Sequence, residues 1–173
     1  MSTPSPSDLE MRLRSIEDRL AILNMLAGSP LSSDVASESY WESMFAHDAV
    51  MDRGGTHGLV SRAAIMATVR GADQASAIES GMAHVAALPH IRIEGDRAVA
   101  TGYLQVLVVD ANSPQVNLSG KGARKALATY ALTVNRWEFA RTEQGWRVVK
   151  RIVRTMATPD GRSLLTRGID STD

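Results

Sequence analysis

The chain has 173 residues, no cysteine, and 19 basic side chains against 19 acidic ones. That length fits one domain with a substantial core, and a balanced charge without a basic block removes the electrostatic footprint of a nucleic-acid or anionic-membrane binder. The lack of cysteine excludes disulfides, thiolate nucleophiles and zinc-thiolate sites, so any chemistry falls to His, carboxylates, hydroxyls, Lys and Arg.

The opening residues 1–7, MSTPSPS, are rich in Pro and Ser and are expected to form a disordered tail. They lack the basic and continuous apolar regions of a secretory signal, and no later stretch approaches a membrane span, so a soluble cytoplasmic protein is expected. Ser7 or Asp8 is placed to cap a helix in which Leu9, Leu13, Ile16, Leu20, Leu23 and Leu26 recur at steps of three and four. That pattern predicts one buried face, with the helix ending at Gly28–Pro30 because Gly can supply the cap and Pro cannot continue the helix. A second, shorter helix is expected from about Asp34, turning Trp41, Met44 and Phe45 inward.

AVMDRGGTHGLVSRAA then reads as a short strand, a Gly-Gly turn, another short strand, and a helix capped by Ser61 and running to about Arg70. Residues 71–81 are ambiguous. From there the period changes to two. Glu94–Arg97 and Thr142–Gly145 are expected as hairpin turns, and residues 111–125 between the hairpins as a disordered tip or a lid. Helices first, then an antiparallel meander from His90 to Thr155, argue for an α+β domain over residues 8–158, with 159–173 as a C-terminal tail. His84 and His90 share one face by even spacing, but Pro89 between them has no N–H for a ladder, so they need separate explanations.

Four blocks in order, IEDRLAILNML, WESMFAHDAVMD, HVAALPHIRIEGDRAVATGY and VNRWEFARTEQGWRVVKRIVR, resemble the SnoaL-like family of the nuclear-transport-factor-2-like superfamily. The resemblance spans most of residues 9–156 and is nearest in pattern to the dehydratase and dehydrochlorinase branch. It implies an α+β cone: a six-stranded, curved antiparallel or mixed sheet packed against N-terminal helices, enclosing a deep pocket. It also implies a homodimer or homotrimer formed through the outer surface of the sheet. The superfamily holds polyketide cyclases, dehydratases and a dehydrochlorinase together with non-catalytic transport factors and oligomerisation subunits, so the fold alone does not assign a reaction.

By position, the residues matching that branch's catalytic set are His84, Asp34 and Arg151. A neutral imidazole can take a proton near neutral pH, a carboxylate on its other nitrogen fixes the tautomer, and a guanidinium can hold a developing anion. Each has a plainer reading as well. Asp34 follows two serines and suits a helix N-cap, and His84 sits among apolar neighbours like a core histidine. Arg151, grouped by alternation with Val149, Val153 and Thr155, could pack its stem and reach water with its head. Several of the family's dehydratases line the pocket with tyrosine, but the matching segments here have none. Tyr40, Trp41, Tyr103 and Tyr130 are therefore the candidates for substrate contact.

His47, His57 and His90 rank below His84; His57 lies in a loop able to reach a pocket mouth. No histidine pair has the spacing of a metal motif and neither glycine cluster forms a phosphate loop, so neither a metal nor a cofactor is expected. The expected function is a cofactor-independent lyase or isomerase acting on a small apolar, aromatic or polycyclic substrate. The alternatives are a non-catalytic ligand-binding or oligomerisation module and a cyclase of the aldol type.

Overall fold

The first helix starts at a capping box. The Ser5 hydroxyl accepts from the Asp8 amide at 3.2 Å, and the Asp8 carboxylate accepts from the Ser5 amide at 3.1 Å, opening α1 (Pro6–Asp34). Residues 5–7 are thus a cap and first turn rather than tail. The computed structural model describes residues 5–55 and 58–170, so residues 1–4 of the expected tail and His57 lie outside the described residues.

The helix does not stop at Gly28–Pro30. It carries Pro30 within it and runs four residues further to Asp34, and two residues beyond that Ala36 takes a left-handed φ of 49°. There the Ser37 amide donates to the Ser32 carbonyl at 2.8 Å and the Ala36 amide to Ser33 at 3.3 Å, the paired bonds of a Schellman cap. Gly28 serves close packing instead: any Cβ there would overlap the Tyr40 ring, whose hydroxyl donates to the Met25 carbonyl at 2.9 Å. The predicted buried stripe also fails over its first half. Leu9, Leu13, Ile16 and Leu20 are all more than half exposed, because no described part of the chain covers them, and burial begins at Asp18 and Ile22.

Next come α2 (Glu38–Met44), β1 (Phe45–Asp52), β2 (Leu59–Val60) and α3 (Arg62–Val69), the last capped by the Ser61 hydroxyl as expected. Residues 71–81, ambiguous in sequence, contain α4 (Ala72–Glu79). The strands β3 (Ala83–Ala86) and β4 (His90–Glu94) are separated at Pro89, and both pair with β5 (Arg97–Val109). A detached hairpin of β6 (Val116–Leu118) and β7 (Gly122–Arg124) occupies the segment expected as a disordered tip or lid. The chain finishes with β8 (Leu127–Thr142), β9 (Gly145–Thr155) and α5 (Pro159–Asp170).

Seven strands form one mixed sheet in the order β2-β1-β9-β8-β5-β3, with β4 also on β5 and only β1–β9 parallel among the pairs described. The count is seven rather than six because β3 and β4 divide one edge at Pro89. Both expected hairpin turns are present, with Gly95 at φ 58° and Gly145 at φ 92°. The main core lies between α1–α3 and the inner face of the sheet and includes Ile22, Trp41, Met44, Phe45, Met51, Ile65, Trp137, Phe139 and Val148.

A smaller cluster of Val134, Ile152 and Leu164 lies beneath α5 on the opposite face. Residues 159–170 are therefore part of the fold and not a tail. Gly168 lets α5 approach the Thr101 side chain more closely than any Cβ would permit. The simple alternation expected along β9 also breaks. Glu138 pairs with Lys150 and Phe139 with Val148, so Val149 is the extra residue of a β-bulge, and Val148 joins Arg151 on the inner face.

Candidate active site

A cavity of about 590 Å³ opens between α1, α2, α3, α4 and the inner face of the sheet. Its walls are mainly apolar, with Leu20, Leu23, Leu26, Val69, Met82, Leu104, Val106 and Trp137 among them. Polar side chains interrupt these walls, with His84, Asn135 and Arg151 on the sheet side, which suits a ligand oriented by placed contacts.

His84 is placed there by β3. Its register opposite Val106 puts the imidazole on the face of the sheet that lines the cavity. The Schellman cap turns the chain just after Asp34, and this last residue of α1 reaches across to the strand. Asp34 Oδ1 lies 2.6 Å from His84 Nδ1, and Oδ2 accepts the His84 backbone N–H at 2.9 Å. A carboxylate accepts only, so Nδ1 carries the proton of the neutral ring and Nε2 keeps the lone pair. The N-cap reading of Asp34 is thereby corrected: the residue ends α1, and Ser37 precedes α2. His84 is a partly buried ring paired with a carboxylate rather than with a backbone carbonyl.

Arg151 stands on β9 opposite Trp137 and Met51 in the neighbouring strands. Only 7% of the residue is exposed, which corrects the reading of a head reaching bulk water. Its guanidinium carbon lies 4.1 Å from the centroid of the Trp137 ring, and Nε and Nη2 donate to Asn135 Oδ1 at 3.0 and 2.8 Å. Asn135 in turn donates from Nδ2 to the Thr133 hydroxyl at 2.9 Å, and Thr133 donates to the Leu104 carbonyl at 3.2 Å. This relay fixes the Arg151 fork without neutralising it. Burial first, and the nearby charge of Arg53 second, push the Arg151 pKa down to about 9. The group is still cationic at neutral pH.

The four expected aromatic contacts separate. Trp41 borders the cavity and packs on Phe45 with ring centroids 5.6 Å apart. Tyr40 does not line the cavity; its hydroxyl is spent on α1 carbonyls, and burial raises its pKa. Tyr103 borders the cavity, yet its pairing with Val134 assigns its side chain to the face covered by α5, while Gly102 and Leu104 face inward. Tyr130 is the residue displaced at the β5–β8 bulge and is 77% exposed, away from the cavity. His90 Nδ1 lies 3.2 Å from the Gly168 carbonyl on the α5 side, and His47 is exposed on β1.

Asn135, Arg53, Asn24 and Gln74 also line the cavity and were not anticipated. Asn135 had a legible signal: an amide on an otherwise apolar strand face, two residues before Trp137. Arg53 had none, since a cation beside Gly54 and Gly55 reads as a loop residue. Among the described residues, no group of three or more His, Asp or Glu side chains is arranged to hold a metal ion. Nor is any helix among them long and apolar enough to cross a membrane.

A structure described as an NTF2-like protein with a cystatin-like fold, from Novosphingobium aromaticivorans, superposes with a TM-score of 0.82 at 26% identity, covering 95% of this chain and 99% of that one. The hexachlorocyclohexane dehydrochlorinase LinA-type3 from Novosphingobium barchaimii aligns with a TM-score of 0.64 at 16% identity, covering 83% and 90%. An NTF2-like superfamily protein from Salmonella enterica serovar Typhimurium aligns with a TM-score of 0.62 at 14% identity, covering 84% and 95%. No protein of curated function matches the chain. The model of the SnoaL-like domain matches residues 14–152, from the first helix to the strand bearing Arg151, and the chain belongs to that family, with the α+β cone fold of the NTF2-like superfamily.

Proposed function

We propose that this protein is a cofactor-independent lyase or isomerase acting on a small, largely apolar ring compound. The observation that carries the reading is the 2.6 Å contact between His84 and Asp34 at the wall of a cavity that also receives Arg151. In an elimination, His84 Nε2 takes the proton from carbon, and the C–H electron pair forms the new double bond. The leaving hydroxide or halide then departs with its own pair. The imidazolium, held by Asp34, returns its proton to a departing hydroxide as water or releases it with a halide. Arg151 balances negative charge as it develops, and general-base help of this kind is worth about 10²–10⁴ in rate. Isomerisation, retro-aldol cleavage and an aldol cyclisation draw on the same proton-transfer groups.

A carrier or oligomerisation module would be expected to plug its cavity or disperse these residues. The open cavity and the joined pair support the enzyme reading instead. The dehydrochlorinase among the structural relatives agrees with it at the level of fold. The test is an assay of hydroxylated and halogenated ring compounds with the wild type and His84→Ala. Unchanged turnover in the variant would remove His84 from the mechanism.

The partner is taken to be this small molecule, and the protein a homodimer or homotrimer. Exposed Leu127, Tyr130 and Leu132 on β8 and Val109 on β5 support such an assembly, as does the uncovered stripe on α1. Light scattering coupled to size-exclusion chromatography decides it: a monomer at micromolar concentration would contradict the assembly.

A further inference from the structure

The cavity receives two guanidinium groups and, among its described lining residues, no carboxylate. Asp34 is engaged by His84, and Asp52, the acid nearest in sequence to Arg53, points to Arg154, which donates to it at 2.7 and 2.8 Å. Arg151 is buried and meets only the neutral amide of Asn135 through Nε and Nη2, leaving Nη1 without an acceptor among the described residues. Arg53 follows β1 two residues after Met51, on the same face by alternation, and Met51 pairs with Arg151 across the sheet. Its Nε donates to Met51 Sδ at 3.1 Å, which fastens the base of the fork and leaves both terminal nitrogens unmatched by any described carboxylate.

Arg53 is exposed as a residue, although enough protein surrounds its guanidinium that partial desolvation lowers its pKa. The Arg53 charge acts on Arg151 within a mostly apolar cavity, and no described carboxylate on its lining balances the two. A planar fork matches a carboxylate through two parallel hydrogen bonds, and a stacked, rigidly held fork loses little freedom in making them.

We infer that the substrate is an apolar ring compound bearing a carboxylate, which binds between Arg151 at the cavity wall and Arg53 at its rim. Arg53 is then a specificity-determining residue, and Arg151 binds the substrate anion before any charge develops in the reaction. A carboxylate suits the site better than a phosphate because the cavity walls are mainly apolar and the buried Arg151 has already given Nε and Nη2 to Asn135, so a dianion would lose more hydration there than a monoanion. The inference rests on the cavity being a substrate site, as proposed above, but does not require His84 to act as the base.

The test is equilibrium binding of 1-naphthoate, 1-naphthamide and 1-naphthyl phosphate, followed by quenching of tryptophan fluorescence, since Trp41 and Trp137 line the cavity. The wild type is expected to favour the acid over the amide by about tenfold or more. Arg53→Gln, a change at an exposed position, is expected to cut that preference severalfold, the acid losing more affinity than the amide. His84→Ala should retain it, so a chain that prefers the acid yet turns nothing over would fail the lyase reading alone. Equal affinity for acid and amide, binding of neither, an undiminished preference in Arg53→Gln, or tighter binding of the phosphate would each overturn the inference.

Discussion

Two arginines lie over two tryptophans in this fold, and they differ in burial and in what their charges meet. Arg141 sits 4.4 Å above the Trp146 ring and donates to Asp18 at 2.8 and 2.5 Å and to Asp96 at 2.8 Å, with the Trp146 indole completing Asp18 at 3.1 Å. Arg151 sits 4.1 Å above the Trp137 ring and meets only an amide. The first stack ties α1 to the β8–β9 hairpin and closes its own charge. The second leaves its charge for something that is not part of the chain. A cation whose partners lie within the protein holds structure, whereas one held rigid and unmatched beside a cavity is set up for a ligand.

Exchanging the roles should give opposite results. Arg151→Gln is expected to lower turnover by about 10²–10³, the scale of losing one anion-stabilising donor. Its melting temperature should hold or rise, because an unmatched buried charge disappears; calorimetry beside the assay checks both. Arg141→Gln should do the reverse, costing about 2–3 kcal/mol of stability, or roughly 4–10 °C in melting temperature, through the stranded Asp18. Turnover measured well below that transition should be near wild type. A variant of Arg141 that lost activity without losing stability would erase the distinction.

Acid sharpens the contrast further. The Arg141 hydrogen bonds, reinforced by Trp146, hold Asp18 below the ordinary 3.8, even though burial opposes them. With the folded pKa below the unfolded one, the stabilisation is full above about pH 4 and is lost as pH falls through the depressed folded value. Denaturant titrations in Asp18→Asn should therefore show lower stability at neutral pH and a flatter acid limb. Arg151 has no carboxylate partner and contributes nothing in that window. The smallest expected effect concerns the turn that positions Asp34. Ala36→Gly relieves a left-handed alanine and should stabilise the chain by about 0.5–1 kcal/mol without moving the carboxylate.

The sequence was most legible where a period ran unbroken against a neighbour. The hairpins at Gly95 and Gly145, the Ser61 cap and the inward Trp41, Met44 and Phe45 could all be read directly. Local signals misled where tertiary contact decided. Gly28 and Pro30 read as a helix stop, yet Gly28 was making room for Tyr40, while the actual stop is an alanine with no sequence mark. The apolar stripe of α1 suggested a buried face that the isolated chain does not provide. Around the cavity, His84, Asp34 and Arg151 could be picked out through family resemblance, although periodicity by itself left each with a duller role. The bulge at Val149, and the acceptance of the Arg151 fork by Asn135 Oδ1, depend on pairing between strands, which a single strand's alternation does not record.

A crystal structure with 1-naphthoate bound would decide whether the unmatched guanidiniums hold a ligand's anion beside His84. The ring is expected in the cavity, with carboxylate oxygens about 2.7–3.0 Å from guanidinium nitrogens of Arg151 and Arg53, and His84 Nε2 facing the ligand with Asp34 still on Nδ1. A naphthoate bound elsewhere, or an imidazole turned from Asp34 with Nε2 tied to the protein, would contradict it.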